Sequence, residues 1–405
     1  MAQQYRGFFY FLSVLSLILT IGCGGGSSKL EERTEDGQAK ISQTISGTSD
    51  SSGYAQATFD IEPGTTAFSL TVSTNNNYRL SILSLLDPSG RTVENSASLL
   101  RKTGNDLVAR SPVALNFPLD PSFVGPLSAG TYTIQFTIYR TGTSPARNQP
   151  FILDLTTKAD STDYQRDGYV DVNIILSGAV ASDVKNKESL RVALGNVQSY
   201  YRDWGINLNM KVYERKDLPS VISSPKDGIN QYLYQQISTD YPSGINLVFA
   251  VDIDFLDDRF ADSGFTPLPA APSNRSAAAF SVRRLAGADG LFDDRRDVGD
   301  ESYSQIYDDE TLQMSTVIAH EIGHSLGLKN TVDLSGEKVI DSDTLPDTEA
   351  CVDFDNCRAR TEVSENIMFP FSVRKRNTWR EFWARTNITA QQAIVMKQNI
   401  QVTVK

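Results

Sequence analysis

Apolar and polar positions alternate with period two in several short runs of the first half of the chain, and turn residues separate the runs. Ala67–Ser73 alternates, Tyr78–Leu86 follows after a polar gap, and Asp87-Pro88-Ser89-Gly90 reads as a turn. Gly130–Tyr139 alternates strictly through Tyr132, Ile134, Phe136 and Ile138. Period two sends successive side chains to opposite faces of a strand, while Asp, Pro and Gly supply the backbone conformations of tight turns. Regularly spaced short strands with no helical stretch between them predict an antiparallel β-sandwich over residues 49–160.

Beyond Asp160 the pattern becomes mixed. Tyr169–Leu176, Ile206–Tyr213 and Ile245–Ile253 read as strands, and Ala277–Val282 as a shorter one. Val184–Trp204 has an amphipathic helical period, Asp227–Asp240 reads as a helix, and Glu310–Leu328 carries apolar residues at Leu312, Val317, Ile318 and Leu326. Thr389–Asn399 reads as a closing helix with Thr389 as its N-cap. Strands alternating with helices predict an α/β domain over residues 161–405.

The start of the chain reads as an export signal over residues 1–22. Tyr5-Arg6 precede an apolar run from Phe8 to Ile21, followed by Gly22-Cys23 and a Gly/Ser-rich stretch. A run this short suits a secretory signal, since a spanning helix needs about 20 residues. Thr20-Ile21-Gly22-Cys23 resembles the lipobox of bacterial lipoproteins, with Thr20 where Leu is usual. That resemblance implies cleavage before Cys23, lipid on its thiol, and a chain anchored to the membrane of the cell envelope, facing the periplasm or the exterior. An ordinary signal peptide with Cys23 left free, or an uncleaved anchor, are the alternatives. Residues 23–48 are polar and read as a flexible tether.

Composition narrows the function. The chain has 405 residues, which suits two domains. With 38 Lys+Arg against 49 Asp+Glu its net charge is -11, and it lacks the basic footprint of a nucleic-acid binder. Of three cysteines, Cys351 and Cys357 remain if Cys23 carries lipid, and an exported pair so close in sequence reads as a local disulfide or else a free thiol pair. Two acidic groups, Asp252, Asp254, Asp257, Asp258 and Asp262, then Asp289, Asp293, Asp294, Asp297 and Asp300, can hold Ca2+ or simply form solvated loops.

The histidine count decides most. The chain has only two, His320 and His324, so no Ser-His-Asp or Cys-His centre exists elsewhere. They stand in His320-Glu321-Ile322-Gly323-His324 on a predicted helix, where i, i+4 spacing puts both imidazoles on one face, one turn apart, able to share one metal ion. Glu321 beside them can act as general base toward metal-bound water. Two structural histidines on a helix face are the plainer alternative.

The wider sequence, His320-Glu321-Ile322-Gly323-His324-Ser325-Leu326-Gly327-Leu328-Lys329-Asn330 with Glu365-Asn366-Ile367-Met368-Phe369-Pro370 further on, resembles the metzincin clan of zinc peptidases. The stretch Asp343-Thr344-Leu345-Pro346-Asp347-Thr348-Glu349-Ala350-Cys351 makes the pappalysin-type peptidases the most similar. Asp87-Pro88-Ser89-Gly90 and Ser128-Ala129-Gly130-Thr131-Tyr132 resemble accessory sandwiches of secreted bacterial peptidases. The resemblance implies a metzincin-like domain with an active-site helix, Zn2+ held by His320 and His324, Glu321 as catalytic base, and Gly327 turning the chain toward a third ligand. It also implies Met368 as a hydrophobic floor in a Met-turn, and Ala277–Val282 as an edge strand pairing with peptide substrate; an ordinary core or edge strand is equally consistent. One position departs: Asn330 stands where these peptidases place His or Asp. Asn330 can offer its amide oxygen, Asp333 can substitute if the loop bends back, or water can complete a two-histidine site. The expected function is a membrane-anchored zinc metalloendopeptidase acting on extracytoplasmic proteins; the alternative is a weak or inactive relative serving as a surface binding protein.

Overall fold

The computed structural model describes residues 27–33, 39–75, 77–95, 109–118, 121–123, 125–140, 144–160, 162–182, 184–222, 229–253, 264–265, 277–282, 303–335, 338–343, 345–369 and 386–404. The export signal, Cys23 and the acidic groups apart from Asp252 lie outside them. Among the described residues no helix is long and apolar enough to cross a membrane.

The first region is built of antiparallel strands: β1 (Ser27–Arg33), β2 (Ala39–Thr48), β3 (Tyr54–Ile61), β4 (Ala67–Ser73), β5 (Arg79–Leu86), β6 (Thr92–Asn95), β7 (Ala109–Arg110), β8 (Val113–Phe117), β9 (Gly130–Tyr139) and β10 (Pro150–Lys158). One sheet runs β1-β2-β10-β4-β8 and the other β3-β9-β5-β6, with β7 beside β5. In β3 and β9 every second residue is buried, so Phe59, Tyr132, Ile134 and Phe136 meet Leu70, Leu153 and Leu155 of the facing sheet in one core. Phe136 and Phe151 bridge the two sheets edge to face at 4.9 Å. A fully buried side chain of this size contributes about 1.5–3 kcal/mol, which makes this shared core the reason the sheets stack.

Part of the expected tether belongs to this sheet. From Ser42 to Thr48 β2 pairs with β10, with Ile45 opposite Leu153. Thr44, Ser46 and Thr48 face outward while Ile45 packs on the core, so the polar residues that read as a linker are the solvent face of a strand.

The second region comprises β11 (Gly168–Ser177), α1 (Gly178–Ser182), α2 (Val184–Asp203), β12 (Ile206–Arg215), β13 (Val221–Ile222), α3 (Ile229–Asp240), β14 (Ile245–Ala250), β15 (Asp252–Ile253), β16 (Gly264–Phe265), β17 (Ala278–Ser281), α4 (Tyr303–Ser325), β18 (Val332–Ser335), β19 (Lys338–Ser342), α5 (Phe354–Arg358), α6 (Thr361–Ser364), α7 (Ala390–Gln398) and β20 (Thr403–Val404). Its main sheet runs β12-β11-β14-β17-β16, with β20 beside β11. β12, β11, β14 and β17 are parallel, and β16 is antiparallel to β17. β14 is buried throughout, as a parallel strand covered on both faces must be. Ile174, Leu247, Phe249 and Phe280 form a core with residues of α2 and α4; Ile175, Val248 and Ala279 form another with Leu233 and Ile237 of α3. The α4 helix therefore lies on one face of the sheet, held by Val317, Ile318 and Ile322.

One expectation about this sheet changes. Among the described residues Ala277–Val282 is not an edge: β17 lies between β14 and β16, β16 pairs with its Ala279 and Phe280, and all its residues are buried. The side chains of short, apolar β17 are buried in the cores on both faces of the sheet.

The regions meet at a buried ion pair. Lys158, the last residue of β10, pairs with Asp160 at 3.2 Å, and its Nζ donates to the carbonyl oxygens of Lys397 (2.8 Å) and Asn399 (3.1 Å). These carbonyls close α7, where a cation is favoured. Asp160 accepts from the Val404 amide at 2.9 Å. Cys351 and Cys357 form a disulfide, and both pack with Val332, Phe354, Val363 and Phe369 in a small separate core.

Candidate metal centre

The α4 helix carries both histidines near its C-terminal end. Their rings lie side by side, centroids 4.6 Å apart and planes crossing at 85°. His320, Glu321 and His324 are all buried, with relative exposures of 6%, 7% and 8%. Tyr201 of α2 anchors the helix one residue earlier, donating its buried hydroxyl to the Ala319 carbonyl at 2.9 Å. Burial pushes that hydroxyl's pKa well up, so it stays a donor.

Each imidazole is oriented by a backbone carbonyl. His320 Nδ1 donates to Ile367 O at 2.7 Å, and His324 Nδ1 donates to Leu328 O at 2.9 Å. A carbonyl can only accept, so each Nδ1 carries a proton, and in the neutral ring the lone pair then lies on Nε2. This is the tautomer that a metal requires of an Nε2 ligand.

The second of these bonds depends on how α4 ends. Leu328 N donates to Gly323 O (2.9 Å) and Gly327 N to His324 O (3.0 Å), which is a Schellman closure. It requires Gly327 at φ +96°, a region that side chains with a Cβ rarely enter. The reversal brings the Leu328 carbonyl back onto His324. α4 accordingly stops at Ser325, three residues short of the expected Leu328, and at its other end it starts at Tyr303 rather than Glu310.

The first bond depends on the Glu365–Phe369 turn. Met368 is fully buried in the α/β core and donates its amide to Asn366 Oδ1 at 2.9 Å. Its sulfur lies against the helix backbone: a Cβ added to Gly323 would fall 2.5 Å from Sδ. Thr331 N in turn donates to Met368 O at 2.9 Å, tying the chain after Asn330 to the same turn. Met368 thus packs as a core methionine against the backbone of Gly323.

Asn330 follows the Schellman closure, half-buried, with its Oδ1 shielded from solvent. Asp333 lies in β18 with its backbone opposite Asp341, and its side chain lies outside the described residues. Among the described residues no group of three His, Cys, Asp or Glu side chains is placed to hold a metal ion. The residue types still fit zinc in part: two imidazoles one helical turn apart, a buried glutamate adjacent to His320 in the chain, and the amide of Asn330 six residues after His324.

Sequence reasoning gave no individual role to three residues behind this site, Asn366, Asp343 and Gln392. Asn366 Nδ2 donates to Gln392 Oε1 (2.8 Å), and Gln392 Nε2 donates to Asp343 Oδ2 (3.3 Å). Burial raises the Asp343 carboxyl to about 6, opposed by donors from Thr348, Leu345 and Gln392. The only sequence signal for Gln392 was the capping box it forms with Thr389.

No family model matches this chain, and no curated protein matches it. Among solved structures, a family 11 carbohydrate-binding module of a cellulosomal cellulase of Clostridium thermocellum matches at 14% identity, over 34% of this chain and 83% of that one, with TM-score 0.14. A family two carbohydrate esterase from Cellvibrio japonicus matches at 7% identity over 56% and 79%, TM-score 0.12. A family two carbohydrate esterase from Clostridium thermocellum, in complex with cellohexaose, matches at 10% identity over 74% and 100%, TM-score 0.15. Likenesses this slight identify neither a fold family nor a function, and what stands is a chain of antiparallel sheets joined to an α/β region that carries a buried histidine pair.

Proposed function

We propose that this chain is a zinc metalloendopeptidase of metzincin type, most like the pappalysins, held at the cell-envelope membrane by lipid on Cys23. The observation that carries the reading is the pair of Nδ1–carbonyl bonds, which present two Nε2 lone pairs from one helix face beside a buried glutamate. His320 and His324 would hold the ion, with Asn330 or Asp333 completing the protein ligands. Bound zinc supplies Lewis-acid polarisation of the scissile carbonyl and a lowered pKa for water. Glu321 takes the proton from the attacking water and delivers it to the leaving amine. The low exposure of all three side chains limits competing solvent and strengthens that charge interaction. The Met368 turn and the Gly327 closure keep both imidazoles in the required tautomer.

One observation favours the alternative, a surface binding protein with weak or no catalysis: Asn330, a neutral amide and weaker zinc donor, stands where the resemblance puts His or Asp. Hydrolysis of unfolded casein decides between them. The unaltered protein is expected to cleave it, with Glu321→Gln reducing the rate at least 100-fold, the scale of a lost general base. Equal rates for the two would sink the peptidase reading.

A further inference from the structure

The peptide unit between Ile367 and Met368 makes two hydrogen bonds of opposite sense. Its carbonyl accepts from His320 Nδ1, and its N–H donates to Asn366 Oδ1. The plane of a peptide is rigid, so whatever fixes the N–H also aims the carbonyl. Asn366 is 1% exposed and has one arrangement open to it: because Met368 N–H can only donate, the atom facing it is Oδ1, and Nδ2 faces Gln392.

Gln392 is fixed in the same way. It is wholly buried, and its Oε1 accepts from the Thr389 amide at 3.0 Å as well as from Asn366 Nδ2. A backbone N–H requires an oxygen there, so Nε2 must point the other way, to the Asp343 carboxylate. Each amide's orientation is therefore dictated by a backbone donor, and the two are complementary. The N-terminal cap of α7 is linked to His320 through Gln392, Asn366 and one peptide plane. With any amide reversed, two donors or two acceptors would face each other without solvent, at a cost of about 1–3 kcal/mol.

We propose that Asn366 and Gln392 are positioning residues that set the imidazole tautomer of His320, through the Ile367–Met368 peptide and from a helix 26 residues further along the chain. The link between tautomer and metal retention rests on the metallopeptidase reading, whereas the tautomer itself does not.

The chain has only two histidines, so nitrogen NMR of imidazole-labelled, metal-free protein gives two ring systems. At a pH where both rings are neutral, unaltered protein should show both with a protonated Nδ1 and a lone pair on Nε2. Asn366→Leu removes the acceptor for Met368 N–H and should mix the His320 tautomers while leaving His324 in place. Asn366→Asp keeps that acceptor but loses the donor to Gln392, so it should restore the Nδ1–H form only in part. Gln392→Met, on a different element, should reproduce the Leu phenotype more weakly. Zinc affinity, read with a competing chelator, should fall on the order of 10–100-fold in Asn366→Leu and recover only in part in Asn366→Asp. A His320 ring with the proton on Nε2 in the unaltered protein would overturn the proposal, and needs no variant to fold. So would a pure Nδ1–H His320 in folded Asn366→Leu. Tautomer changes without zinc binding in any form would leave the bracket standing and remove the peptidase reading.

Discussion

The sulfur of Met368 rests directly on the backbone of Gly323, leaving no space for a side chain between the helix and the turn below it. A Cβ at residue 323 would sit 2.5 Å from Sδ, closer than side-chain atoms approach. Gly323→Ala is therefore expected to destabilise the protein by about 1–3 kcal/mol through overpacking. Met368→Ala alone should cost about 2–5 kcal/mol through the cavity it leaves. The double variant should lose clearly less than the sum, because the new methyl occupies space the thioether vacated. Urea midpoints of the four proteins measure this coupling, and simple additivity would show that the two residues do not share the space.

Gly327 is the second point where only glycine fits. At φ +96° an alanine is strained by about 1–3 kcal/mol. The strain acts on the closure that delivers the Leu328 carbonyl to His324, so Gly327→Ala should lower zinc affinity as well as stability. Gly327→Asn, which tolerates positive φ better, should lose less of both. Chelator competition beside urea unfolding checks the pairing of the two effects.

Asp343 gives the protein a pH signature. Its carboxyl is raised to about 6 in the folded state from an ordinary 3.8, chiefly by burial. The native state thus holds this proton more tightly than the unfolded chain does. Its contribution is fully present below the unfolded value, near pH 4, and is lost as pH rises through about 6, a change of about 3 kcal/mol for this shift. Asp343→Asn removes the titration and keeps an acceptor for Gln392. The variant should gain stability relative to the unaltered protein between pH 4 and pH 7. Parallel pH dependence in the two proteins would show that Asp343 does not titrate in this range.

What the sequence disclosed follows from the range of the interactions involved. His320 and His324 are four apart on a helix, and Gly327 ends that helix, so local spacing was enough to place them together. Strand β9 matches its alternating run from Gly130 to Tyr139 because one of its faces is buried. β2 was hidden because its outward residues are polar and its partner, β10, lies about a hundred residues away. β17 could not be placed inside or outside the sheet, since a short apolar run has no signature of its neighbours. The Asn366–Gln392 bracket was invisible for a related reason: two amides on different elements have neither period nor motif until the fold brings them within 2.8 Å.

The central claim is that His320 and His324 present their Nε2 atoms to a single zinc ion. Zinc titration of the metal-free chain against a chelator of known affinity tests it most directly, with His324→Ala as the comparison. The expected result is one zinc per chain, with affinity lost by at least 100-fold in His324→Ala, as removal of one of two imidazole ligands requires. Zinc binding that is absent from the unaltered protein, or unchanged in His324→Ala, would contradict it.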